Sequence, residues 1–184
     1  LLAEQHLEHE VDPLFVRRTE QVRAADPRLI EDRLLLREAL EASKQPGGQP
    51  PFVLFSAHSL PERIRQWDDP YERELLDSAQ AVARLLELPN WTFAFQSASA
   101  TGEPWLGPDI LERIKEIAQT TTYRQMVFCA IGFVADHLEV LYDLDIEARQ
   151  KCKSLGVQYR RAASLNDDPL MAEAVADVVL SVMR

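Results

Sequence analysis

The spacing of apolar residues changes near residue 50. Before it, apolar positions recur at helical intervals as far as about residue 45. Asp12-Pro13 and Asp26-Pro27 read as helix starts, with the acidic residue as cap and proline in the first turn. The second precedes Leu29, Ile30, Leu34, Leu35, Leu36 and Leu40. Gln45-Pro46-Gly47-Gly48-Gln49-Pro50-Pro51 then predicts a loop. Beyond it come four short apolar runs, at 52–57, 91–95, 125–131 and 157–162. Amphipathic stretches at 72–86, 108–118 and 138–154 separate them, and a last helix is predicted at 169–183. This alternation predicts a three-layer α/β domain, with a four-stranded parallel sheet covered on both faces. Residues 1–50 read as a helical connecting segment and 51–184 as the domain. In such sheets the ligand site lies at the carboxyl ends of the strands.

A formal net charge of −10 over 184 residues argues against nucleic acid as a partner and is compatible with handling a cation. No apolar run is long enough for a membrane span, which leaves only a peripheral association with a membrane open. Cys129 and Cys152 are too few for a disulfide scaffold or a four-cysteine cluster. Cys129 lies in an apolar run and is expected in the core; Cys152 is expected as a free thiol. A reducing, cytoplasmic compartment follows as the expectation. The chain opens without Met and inside a helical pattern, so further chain is expected upstream.

Three constellations carry candidate chemistry. His58 ends the first strand, where an imidazole can take a proton or ligate a metal; the alternative is a loop histidine bonded to the backbone. Glu139, Asp143 and Glu147 follow the third strand at intervals of four, one stripe of a helix. That stripe is either a functional carboxylate row or a solvated acidic face. Leu138, Val140, Leu141 and Leu144 are expected to pack on the sheet. His137 lies two residues from Glu139 and is expected to point away as a supporting group. The loop from Gln96-Ser97 to Trp105 either lines a pocket for a flat ligand or is a surface loop anchored by its tryptophan. Strands one and three, as neighbours, would bring His58 and Glu139 to one crevice. A nitrogen and an oxygen ligand there suit a borderline divalent metal that is bound weakly and passed on.

Taken together, these stretches resemble the ferrochelatase family. The resemblance rests on Phe55-Ser56-Ala57-His58-Ser59-Leu60-Pro61, Asp69-Pro70-Tyr71, and Gln96-Ser97 with Gly102 and Trp105-Leu106-Gly107-Pro108. It continues through Phe133 to Glu147 and Ser164-Leu165-Asn166-Asp167-Asp168-Pro169, in register from Phe52 onward. It implies the C-terminal half of a two-domain, Rossmann-like fold with a porphyrin in the cleft between similar halves. It implies insertion of Fe2+ into protoporphyrin IX or coproporphyrin III, with release of two protons, in haem synthesis. His58 and Glu139 would be the catalytic and iron-binding pair, and Asp143 and Glu147 an acidic line into the cleft. Ser59, Leu60, Pro61, Gln96, Ser97, Trp105 and His137 would lie on the substrate side. The helix from Leu138 would carry a π-type distortion. Fe2+ is a substrate in this reading, with no cofactor and no iron–sulfur cluster expected; the partners are porphyrin, Fe2+ and the absent N-terminal half. The chain departs from the family at Ala98, where many members carry Arg, and across 26–49. Rival readings are a non-catalytic porphyrin or haem carrier, and a chelatase for another metal.

Overall fold

A computed structural model describes residues 34–183. The helical reading of residues 1–33, with the signals at Asp12-Pro13 and Asp26-Pro27, lies outside the described residues. Helix α1 is Leu34–Glu41, followed by strand β1, Phe52–His58. A short 3₁₀ helix, Glu62–Trp67, leads to α2, Tyr71–Leu85, and β2, Trp91–Gln96. Next come α3, Ile110–Thr120, and β3, Gln125–Cys129. A long helix, α4, opens with an α-helical turn at Leu138–Val140, widens into a π-helix at Leu141–Ala148, and returns to α-helix at Arg149–Ser154. Strand β4, Gln158–Arg161, and helix α5, Pro169–Val182, complete the order.

The four strands form one parallel sheet in the order β2-β1-β3-β4. Alternate residues of each strand serve opposite faces. Val53, Phe55 and Ala57 of β1 join Phe93, Phe95, Val127 and Cys129 under α1 and α2. Leu54 joins Ala94, Met126 and Phe128 under α3 and α4. Because both faces are covered, β1 and β3 read as continuous apolar runs. Cys129 lies in the core as expected; Cys152 is also fully buried, inside α4. Asp109 caps α3 by accepting the backbone N–H groups of Leu111 and Glu112. Among the described residues, no helix is long and apolar enough to cross a membrane.

The packing of α4 corrects one expectation. Val140 and Leu144 are buried, but Leu138 is 83% exposed and Leu141 39% exposed. The buried row is Val140, Leu144, Ala148 and Cys152, each at 0%. On a regular helix a four-residue step drifts sideways by ~40°. The wider π-turns, with their i→i+5 bonding, offset that drift. A row with a step of four therefore stays against the sheet, and a 3.6-residue stripe does not.

The strand order puts the topological switch between β1 and β3. From β1 the chain passes to β2 on one side, then crosses to β3 on the other. The crevice outside the carboxyl ends of β1 and β3 is where this architecture holds ligands.

Candidate functional site

His58 is the last residue of β1, and its surroundings fix it from several sides. Its carbonyl accepts a 2.9 Å hydrogen bond from the Tyr71 hydroxyl. Tyr71 sits at the start of α2, where its N–H donates to Asp69 Oδ1 at 2.9 Å. Burial pushes the Tyr71 phenol up, so it remains a donor at neutral pH. The next residue, Ser59, donates its N–H to the Gln96 carbonyl at 2.7 Å and its Oγ–H to the Leu106 carbonyl at 2.8 Å. Leu106 N–H returns to the Leu60 carbonyl at 2.8 Å, and Pro61 bridges Trp105. The loops after β1 and β2 are thus laced into one rim. The Trp105 indole N–H donates within its own loop, to Thr101 Oγ1 at 2.9 Å.

The imidazole has two partners. Nδ1 meets the Ser59 carbonyl, which can only accept, so Nδ1 carries a proton. Nε2 lies 3.1 Å from Glu139 Oε1. Residues 81 positions apart meet here because β1 and β3 are paired neighbours and Glu139 lies in the opening turn of α4. With Nδ1 protonated, the Nε2–Oε1 contact holds one further proton, on whichever atom carries it. Both side chains open to solvent, 31% and 45% exposed, so incoming groups can reach them.

The other carboxylates separate from that pair. One turn on, Asp143 Oδ2 accepts the Ser97 hydroxyl and, at 3.4 Å, Gln96 Nε2. Ser97 adopts a left-handed φ of 65°, and its hydroxyl meets Asp143 of α4. Gln96 is 1% exposed, and its Oε1 has no hydrogen-bond partner among the described residues. Glu147 lies another turn along, half-buried. Among the described residues, no three His, Cys, Asp or Glu side chains converge closely enough to hold a metal ion together. His137 precedes the helix and packs edge-on against Phe133, with ring centroids 5.2 Å apart.

A half-buried charge network flanks the site; Asp136, Asp145, Ser164 and Asn166 lie in the stretches that carry the resemblance, but Arg161 and Tyr159 did not stand out in the sequence. Arg161, at the end of β4, reaches Asp136 Oδ1 through Nη1 at 2.9 Å and Asp145 Oδ2 through Nη2 at 2.9 Å. Ser164 Oγ donates to Asp136 Oδ1 at 2.7 Å, and Tyr159 OH to Asp145 Oδ1 at 3.1 Å. Asp136 N–H donates to Asn166 Oδ1 at 2.8 Å, and Asn166 takes a left-handed φ of 52°. Burial by itself would raise the Asp136 carboxyl, but the Ser164 hydrogen bond and the Arg161 charge outweigh it and hold the group low. Burial works against the Arg161 charge, yet hydrogen bonds and attraction from Asp145 and Asp136 leave it more firmly protonated than usual. Burial first, then Asp145, pushes the Tyr159 phenol up. For Arg161 the sequence signal was a charged residue at an inward-facing position of β4, with an acidic residue of α4 outside the 139-143-147 row.

The Ferrochelatase family model matches residues 26–183. The chain is 51% identical over 127 residues to a ferrochelatase of Herpetosiphon aurantiacus, covering 69% of this chain and 41% of that protein. It is 42% identical over 140 residues to a coproporphyrin III ferrochelatase of Geobacillus thermodenitrificans, covering 76% and 44%. A coproporphyrin III ferrochelatase of Listeria monocytogenes is 39% identical over 127 residues, at 69% and 41%. The chain thus spans about two fifths of the length of the curated relatives it matches.

Proposed function

The chain belongs to the ferrochelatase family, and from that premise we propose that it forms the metal-handling wall of an enzyme that inserts Fe2+ into a porphyrin. The reaction joins Fe2+ to the macrocycle and releases two pyrrole protons. The observation that carries this reading is the His58–Glu139 contact, 3.1 Å across the crevice between β1 and β3.

The two side chains divide the work by their chemistry. Nδ1 is committed to the Ser59 carbonyl, so Nε2 is the imidazole atom that exchanges a proton. When the proton shared with Glu139 leaves, an imidazole lone pair and a carboxylate face the substrate. One pyrrole proton then returns to the space between Nε2 and Oε1, and the free Glu139 oxygen accepts the second. The same lone pair and carboxylate form a weak N,O ligand set for an arriving divalent ion, suited to passing it on. Asp143 and Glu147 extend the negative row along α4, one turn apart, as a path for protons leaving or metal entering. No resident cofactor takes part.

The opposite cleft wall comes from the part of the relatives that this chain does not span. Protoporphyrin IX and coproporphyrin III differ in their propionates, so both belong in the assay. Buried cysteines that form no disulfide support a cytoplasmic setting.

The test adds Fe2+ anaerobically to porphyrin and follows the porphyrin-to-haem absorbance change. It uses this chain, and also the Herpetosiphon aurantiacus relative with its matching stretch replaced by this one. His58→Ala and Glu139→Ala each abolish haem formation without shifting the melting temperature by more than a few degrees. Near-normal turnover in the His58→Ala protein would overturn the assignment.

A further inference from the structure

The opening of α4 is weakly supported where its function is greatest. The first α-helical segment is three residues long, and its cap residue, His137, makes no side-chain capping bond. Glu139 is 45% exposed, so packing around its carboxylate does not fix it. Its backbone is held through its neighbours, by Val140 packed on the sheet and by polar ties on either side, and these set the 3.1 Å to His58.

We infer that Arg161 is a positioning residue for the His58–Glu139 pair: its guanidinium ties the loop entering α4, at Asp136, to the helix itself, at Asp145, on either side of Glu139, and so fixes the carboxylate opposite the imidazole. The clamp grips three residues before Glu139, at Asp136, and six residues after it, at Asp145. The hold on Asp145 is two-pronged, through Nη2 at 2.9 Å and Nε at 3.2 Å. Arg161 is itself tied to the sheet, because it pairs in register with Phe128 of β3. The chain of support therefore runs from β1, which carries His58, through β3 to β4, and back through the guanidinium to the helix that carries Glu139. Arg161 touches neither member of the pair. Its side chain is 11% exposed, so the clamp works in a low-dielectric setting where losing one partner is costly.

Charge and geometry can be separated here. Lysine supplies the same positive charge but one point of contact; only the planar fork of arginine serves two carboxylates in fixed directions at once. Arg161→Lys therefore keeps the charge balance and releases one of the two carboxylates. Arg161→Gln removes both grips. The primary readout is the ring ¹⁵N signal of His58 Nε2, measured in the intact chain, since it reports the hydrogen bond to Glu139 without any turnover. In Arg161→Lys the signal moves from its wild-type position toward that of Glu139→Ala, and it moves further in Arg161→Gln. Asp145→Asn loosens the helix side of the clamp and shifts the signal in the same direction, which keeps the question open to measurement if Arg161→Gln does not fold. Tyr159→Phe removes a neighbouring bond to Asp145, leaves the guanidinium in place, and leaves the signal unmoved.

The second readout rests on the proposed chelatase activity. In the assay above, Arg161→Lys lowers kcat by ~10²-fold, the cost of misplacing a catalytic group by about an ångström, with the KM for porphyrin within about twofold. If wild type forms no haem, the proposed function fails while the His58 signal still decides the role of Arg161. A folded Arg161→Lys protein whose His58 signal matches wild type would overturn the inference and leave Arg161 a structural residue only.

Discussion

Gly132 lies in the turn that leaves β3, and replacing it with alanine tests how tightly that turn is pressed onto β1. Its N–H donates to the Ser56 carbonyl at 3.1 Å. A Cβ at this position would lie 2.4 Å from Ala57 Cβ, 2.9 Å from Ala57 Cα and 3.4 Å from Leu75 Cδ2. Carbon atoms that touch prefer about 3.5–4.0 Å, so relief requires a movement of about an ångström. Ala57 cannot easily supply it: it is 0% exposed and pairs with Phe95 in the middle of the sheet. Overpacking of a fixed core costs ~1–3 kcal/mol. For a chain of this size that lowers the melting temperature by roughly 2–12 °C. His58 directly follows Ala57, so a displacement of β1 also opens the 3.1 Å approach to Glu139. Scanning calorimetry of Gly132→Ala measures the loss, and the double variant Ala57→Gly/Gly132→Ala tests its cause. Removing the Ala57 methyl relieves the shortest approach, so the double variant melts above Gly132→Ala. It stays below wild type, because glycine in a strand costs about 0.5–1 kcal/mol and the crowding against the residue 57 backbone remains. A Gly132→Ala protein melting within a degree of wild type would refute the steric reasoning, as would a double variant no more stable than the single.

Two further outcomes follow from ionisable groups that the fold shifts. Arg161 and Ser164 hold the Asp136 carboxyl low in the folded chain, so its ionised form favours folding above the ordinary carboxylate range; that contribution is lost as pH falls through the depressed folded value. Asp136→Asn removes it, and denaturant titrations below about pH 4 then show a shallower acid loss than wild type. Burial pushes the Cys152 thiol up to about 12, so at pH 8 it is a thiol and not a reactive thiolate. Ellman's reagent labels Cys152 in the native chain only as fast as the chain unfolds, and labelling within minutes at a rate independent of denaturant would contradict its burial.

The sheet was legible because β1 and β3 are covered on both faces and so become unbroken apolar runs, with Pro/Gly-rich or amphipathic stretches between them. His58 and Glu139 were legible as a pair for a related reason: His58 closes strand one, Glu139 follows strand three, and those strands are neighbours. What the sequence hid depended on distant partners or on an unusual helix. Leu138 and Leu141 fit a 3.6-residue apolar stripe, but the helix is set against the sheet by Val140 and Leu144, which leaves both exposed. The partnership of Asp143 with Gln96 and Ser97 needs the left-handed turn at Ser97, which no glycine announced. Arg161 looked like one of two adjacent arginines on a short edge strand. Its role rests on partners 16 and 25 residues away along the chain.

The π-helix in α4 gives that segment an unusual kind of specification. Its buried residues at 140, 144, 148 and 152 and its carboxylates at 139, 143 and 147 advance by the same step and run side by side as two rails. What keeps the rails parallel is the number of residues between ties, more than their identity. Aspartate already stands in one place and glutamate in the other two, so exchange within the row changes only the reach of a carboxylate. One residue inserted between Glu139 and Asp145 would turn everything beyond it by ~100°. It would carry Glu147 off its rail, Asp145 off its arginine and Ala148 out of the core. Along this helix, spacing is thus as much a part of the specification as the residues themselves.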